Sequence, residues 1–154
     1  MQDTQTMKGH FKIFNNATNE LLVEKDNLIV AAAKNMLRNI FSGQSSIYVQ
    51  SFAFGTGVAP PLPGNTGLGV PIEYDTGKYY KAFEEYTNDT TTSITFVGYW
   101  SSLQPVTQPV EITEVGLFTG IDGTAGTMFC RATFDAITKS TAVELRLEYT
   151  IAFT

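Results

Sequence analysis

From Ala142 to Phe153 the chain alternates residue by residue. Val143, Leu145, Leu147, Tyr149, Ile151 and Phe153 share one side, and Ala142, Glu144, Arg146, Glu148, Thr150 and Ala152 share the other. A strand turns successive side chains to opposite faces, so this pattern predicts a strand with an apolar inner face and a mostly polar outer one. A slip of one residue would bury Glu144, Arg146 and Glu148, so the register is strongly set.

The same period recurs upstream. Phe11 and Ile13 point one way and Lys12 the other. The turn cluster Asn15-Asn16-Ala17-Thr18-Asn19 then leads into Leu21–Glu24, which predicts an N-terminal hairpin. The period changes over residues 29–41. Ile29, Ala32, Ala33, Met36, Leu37, Ile40 and Phe41 recur at three- and four-residue spacing and predict one amphipathic helix. Asp26 or Asn27 is placed to cap it, Arg38 to complement its C-terminal dipole, and Gly43 to end it in a left-handed conformation. Strands are predicted at Ile47–Phe54, Tyr79–Tyr86, Thr91–Trp100, Val110–Thr119 and Thr127–Phe134. Turns are predicted at Asn88-Asp89, Asp122-Gly123 and Ala136–Thr141. The three prolines and the glycines between Val58 and Gly69 predict an irregular arm. Together these elements predict a mainly β fold with one α-helix: an antiparallel β-sandwich, or a partly open barrel, with the helix packed on one edge or face. Residues 1–7 are expected to form a flexible tail and residues 8–154 a single β-rich domain.

Composition narrows the choice of partners. The 154 residues fit one domain with a substantial core. Only 16% are charged, which leaves a sparsely charged surface that neighbouring subunits cover easily. Net charge is −5, and the ten Lys and Arg form no run, so neither nucleic acid nor a membrane surface is an expected partner. The longest apolar run, Leu28–Ala33, is too short to span a bilayer. Cys130 is the only cysteine and reads as a small buried hydrophobe.

Candidate chemistry is thin. His10 is the only imidazole available as a catalytic base, and it lies at a predicted strand end. One His and one Cys make no zinc site. Glu84 and Glu85 face opposite sides of a strand, as do Glu111 and Glu114, so neither pair works as an acid and base. Gly55-Thr56-Gly57 lacks the Lys-Ser/Thr ending of a phosphate loop. No motif calls for a cofactor, and no catalytic residue is assigned. The remaining candidates are aromatic and charged surface groups. Tyr74, Tyr79, Tyr80, Tyr86, Tyr99 and Trp100 crowd into residues 74–100, where rings could fill a core, anchor a protein interface or stack on sugar. Glu144, Arg146 and Glu148 predict an exposed row of alternating sign. The candidate interface is therefore Tyr79, Tyr80, Tyr86, Tyr99, Trp100, Glu144, Arg146 and Glu148.

Three pieces, taken in order, resemble small structural proteins of tailed-bacteriophage virions. The first is Phe52-Ala53-Phe54-Gly55-Thr56-Gly57-Val58-Ala59-Pro60 with Asn65-Thr66-Gly67-Leu68-Gly69. The second is Ile112-Thr113-Glu114-Val115-Gly116-Leu117-Phe118. The third is Gly126-Thr127-Met128-Phe129-Cys130-Arg131-Ala132-Thr133-Phe134, followed by the final strand. The likeness spans roughly residues 20–154. It implies a non-enzymatic virion subunit, assembled in the host cytoplasm, that forms homo-oligomers and docks on other virion structural proteins. A tail-associated part such as an adaptor, collar, baseplate piece or short appendage is expected first. A capsid decoration or cement protein is the alternative, and a carbohydrate-binding module contacting a host-surface glycan is another.

Overall fold

The computed structural model describes residues 6–153, with the backbone alone for Asp89. Nine strands and one helix follow in the order β1 (Met7–Asn15), β2 (Glu20–Ile29), α1 (Ala31–Phe41), β3 (Ser51–Gly55), β4 (Lys81–Ala82), β5 (Glu85–Thr90), β6 (Ser93–Trp100), β7 (Val110–Phe118), β8 (Met128–Lys139) and β9 (Leu145–Phe153). The strands form one sheet in the order β4-β3-β7-β8-β2-β1-β9-β6-β5, antiparallel throughout. The sheet curls strongly into a half-barrel, so of the two expected arrangements the partly open barrel is the one adopted.

Two features produce the curl. β2 serves both halves of the sheet: Gly9–Asn15 of β1 pair with its first part, while Leu28 and Ile29 pair with Arg131 and Cys130 of β8. At the far side one continuous segment, Lys81–Thr90, joins the sheet's two ends. The Phe83 amide donates to Gln50 O beside β3 at 3.2 Å, and the next amide, Glu84, donates to Val97 O of β6 at 3.0 Å. Phe52 of β3 then lies against Gly98 of β6, where a Cβ would come within 2.2 Å of the Phe52 ring.

The core fills the concave side. Phe11, Ile13, Leu145, Leu147, Tyr149 and Ile151 are buried from one half, and Phe52, Phe54, Val115, Leu117, Phe129 and Cys130 from the other. The inner face of β9 is as expected from Leu145 to Ile151, while Phe153 at its end is exposed. Trp100 meets Phe54 edge-on at 4.8 Å between ring centroids. Burial pushes the Cys130 thiol up to about 12, which makes it an inert core group. The Ala33 and Met36 side of α1 is buried and joins the main core cluster.

Several local expectations are corrected. Asp26 and Asn27 do not cap α1; they remain in β2, opposite His10 and Gly9, and the helix starts from Val30 without a side-chain cap. Gly43 does adopt the left-handed conformation after the helix, with φ 71°. Residues 47–50 and 79–80 lie outside the strands, because their β3 and β4 pairing begins only at Ser51 and Lys81. The β5–β6 turn falls on Thr91-Thr92 and not on Asn88-Asp89, which continue β5. β8 runs on to Lys139 through the stretch expected to turn. Of the expected tail, residues 1–5 lie outside the described residues, and Met7 already pairs with Phe153.

Candidate functional site

Two places stand out: a polar knot that fixes the irregular arm, and an apolar cleft beside the helix. The knot centres on Glu114, which is fully buried in β7. Its Oε1 accepts the amides of Gly57 and Val70, each at 2.9 Å, and its Oε2 accepts the Gly69 amide at 3.0 Å. Arg131 of β8, itself 3% exposed, adds Nε at 3.0 Å and Nη2 at 2.9 Å to the same oxygen. Nη1 of Arg131 continues to Asn65 Oδ1 at 3.1 Å. The glycines at 55 and 57 are required by close approach, since a Cβ at either would lie within 2.5 Å of the Glu114 carboxylate. Burial alone would raise the Glu114 pKa. The amides of Val70, Gly69 and Gly57 and the Arg131 guanidinium outweigh that and hold it below the ordinary carboxylate value.

This carboxylate has no acceptor capacity left for a substrate, so its role is architectural. It binds the arm, residues 57–70, to the sheet. The three sequence pieces Phe52–Pro60 with Asn65–Gly69, Ile112–Phe118 and Gly126–Phe134 all converge on it. Glu114 beside Val115, Arg131 between Cys130 and Ala132, and the Gly-rich segments around residues 55–57 and 67–69 were the signal for this knot in the sequence.

The cleft lies between α1 and the β4–β6 end of the sheet and has a volume of about 520 Å³. Leu37, Ile40, Phe83, Phe96 and Phe129 form its floor, Tyr48 and Tyr86 stand at its rim, and no charged residue lines it. Tyr48 is 67% exposed, Tyr86 69% and Phe41, next to Ile40, 86%. Phe41 was expected on the packed face of the helix. At 100° per residue it lies about 140° round from Met36, which turns it outward.

The other predicted interface residues are scattered. Trp100 is 1% exposed and belongs to the core, so it presents no ring to a partner or a sugar. Tyr80 packs edge-on against Phe118 at 4.8 Å, and burial raises its pKa. Tyr79 donates to Glu73 Oε1 at 3.0 Å and Tyr99 to Glu85 Oε1 at 2.9 Å. Tyr86 alone of the five aromatics lines the cleft. The row Glu144, Arg146 and Glu148 is half-buried and is not the free charged row expected. Arg146 folds down over the Phe14 ring at 4.3 Å, and its Nη1 and Nη2 donate to Asn16 at 2.7 Å and Asn19 at 2.6 Å.

Two further polar groups are embedded. Lys139 is fully buried, donating to Gln108 Oε1 at 3.0 Å and Ser140 O at 2.8 Å, and burial lowers its pKa to about 8. His10 sits within β1, with Nδ1 at 2.8 Å from Asp26 Oδ1 and Nε2 at 2.9 Å from Glu24 Oε1. The hydrogen bond to Asp26 is the main cause of its raised pKa, and burial partly opposes it. Among the described residues no three His, Cys, Asp or Glu side chains gather as a metal site, and no helix is long and apolar enough to cross a membrane. No family model, curated protein or solved structure matches the chain.

Proposed function

We propose that the protein is a non-enzymatic structural subunit of a tailed-bacteriophage virion, tail-associated, that works by self-association and docking. The observation that carries this reading is the charge-free cleft with Tyr48 and Tyr86 exposed at its rim, together with the exposed Phe41 that follows its lining residue Ile40 in α1. Contiguous exposed apolar surface on a folded domain marks an interaction site. A projecting ring beside an apolar hollow is also what a two-fold pair of identical copies needs, the ring of each entering the hollow of the other. Each ring can bury roughly 150–250 Å². Three rings from each of two copies therefore supply on the order of 1,000 Å², the lower range of a specific interface. The motifs that resemble those of small virion proteins supply the setting: their convergence on Glu114 gives a rigid scaffold from which such a surface is presented.

Size-exclusion chromatography with light scattering tests the reading. The wild-type protein is expected to be oligomeric. Phe41→Ser combined with Tyr86→Ser is expected to be monomeric with an unchanged far-ultraviolet circular dichroism spectrum, since both side chains are exposed. A wild-type chain that stays monomeric and is absent from purified virions of the phage encoding it would sink the proposal.

A further inference from the structure

Lys139, at the end of β8, is the one lysine among the described residues that is buried. An ammonium so placed is costly unless a counter-charge meets it. Its Nζ instead donates to two neutral oxygens, Gln108 Oε1 at 3.0 Å and Ser140 O at 2.8 Å. Glu144 is the carboxylate whose charge reaches it, from beyond ion-pair contact. Glu111, held by Thr138 at 2.6 Å, belongs to the opposite face of the β7–β8 ladder. Burial outweighs the attraction of Glu144 and lowers the Lys139 pKa to about 8, so the neutral amine is within reach near neutral pH.

Gln108 is fixed just as firmly. It lies two residues before Val110, which stands opposite Lys139 in the ladder. Its carboxamide is held at both ends, the oxygen by Lys139 and Nε2 by Ser102 O at 3.1 Å. With a C=O bond of about 1.23 Å, a nitrogen 3.0 Å from that oxygen stands roughly 3–4 Å from Cδ. Attack on a carbon proceeds from about 3–3.5 Å. A small turn of the neutral amine, with one N–H kept on Ser140 O, therefore aims its lone pair at Cδ.

We propose that Lys139 and Gln108 react with each other to form an internal isopeptide bond. The neutral Nζ attacks Gln108 Cδ, the Cδ–Nε2 bond breaks, and the proton given up by Nζ leaves on Nε2 as ammonia. One C–N bond replaces another, so no oxidant, reductant or co-reactant takes part. Two features favour the product. A buried ammonium is exchanged for a neutral amide. Ammonia is released beside Ser101 and Leu103, which are exposed, and water carries it away. The bond closes a ring over residues 108–139 and fastens the open end of the β7–β8 hairpin covalently. None of these residues lines the apolar cleft, so the cross-link stands independently of the proposed self-association.

Intact-mass spectrometry of the folded full-length protein, followed by tryptic mapping, tests this. The mass is expected to fall short of the sequence mass by one ammonia. Trypsin does not cut after an acylated lysine, so the deficit should sit on one branched peptide, residues 82–131 joined to residues 132–146. Lys139→Met and Gln108→Ala are each expected to carry their full masses and to yield no branched peptide. Any unlinked wild type is expected to close on incubation at pH 9, where the amine is neutral. The proposal is overturned if wild type still carries its full mass after that incubation and trypsin cuts at Lys139, if the deficit maps to other residues, or if either variant retains it.

Discussion

Replacing Glu114 by Gln removes one charge from the interior and keeps the side chain's shape. The wild-type carboxylate accepts four N–H groups, the amides of Gly57, Gly69 and Val70 and Nε–H of Arg131, and Nη2 of Arg131 lies 2.9 Å from it as an ion pair. A Gln offers one acceptor oxygen, and its NH2 meets the remaining donors head-on. It also leaves the Arg131 guanidinium buried without a counter-charge. Breaking a buried pair from one side costs about 3–5 kcal/mol, and each donor left unpaired adds roughly 1–3 kcal/mol where the site cannot relax. A loss of about 4 kcal/mol is expected, a large part of the ~5–15 kcal/mol available to a domain. Urea unfolding followed by the fluorescence of the single, buried Trp100 measures it. With a slope near ~2 kcal/mol per molar, the midpoint should fall by about 2 M. Arg131→Met on the Gln background should recover part of this, because the uncompensated charge leaves with it. A midpoint shift under about 0.5 M, or a double variant worse than the sum of the singles, would refute the account of the knot. The pH dependence follows from the same contacts. The folded pKa of Glu114 lies below its unfolded value of about 4.5. Its contribution is therefore complete above that value and is lost as pH falls through the folded pKa.

Two other outcomes follow from the geometry. His10 has a folded pKa above 6.5, so the stability it lends is full below that pH and disappears as pH rises through the folded value. Wild type should exceed His10→Gln by about 0.5 kcal/mol at pH 5.5, small because the pair is exposed, and the two should coincide at pH 8.5 in parallel urea titrations. Gly98→Ala places a Cβ 2.2 Å from the Phe52 ring and should cost about 1–3 kcal/mol. Gly67→Ala meets nothing within 4 Å and should leave the thermal midpoint unchanged.

What could be read from the chain was whatever a single element decides for itself. The alternation of β9 predicts Leu145, Leu147, Tyr149 and Ile151 as core, and all four are buried. The break after Gly43 and the irregular arm are equally local, set by backbone freedom and by proline. The failures came where a neighbour decides. Asp26 and Asn27 have capping chemistry, but β1 claims their backbone for its ladder. Asn88-Asp89 has turn chemistry, but β6 extends β5 past it. Trp100 sits in a run of aromatic residues, yet its place in the core depends on Phe54, far away in sequence. Arg146 reads as a surface charge until the Asn16–Asn19 turn folds over it. The Glu114–Arg131 pair needs three chain segments in one place before it has any meaning. The cleft was half legible: Tyr86 was among the candidates, while Phe41 and Tyr48 were not.

The segment Lys81–Thr90 has a mechanical consequence. Where neighbouring strands meet only through hydrogen bonds, a sideways pull parts them one ladder at a time. Here the two ends of the sheet are tied by covalent backbone, with the consecutive amides of Phe83 and Glu84 gripping opposite sides. Lateral load on β3 therefore passes along the chain into β6 as it would through the buckle of a belt. Lengthening the buckle by even one residue between Ala82 and Glu85 slackens the whole circumference, whereas an insertion in the arm's outer loop leaves the belt tight.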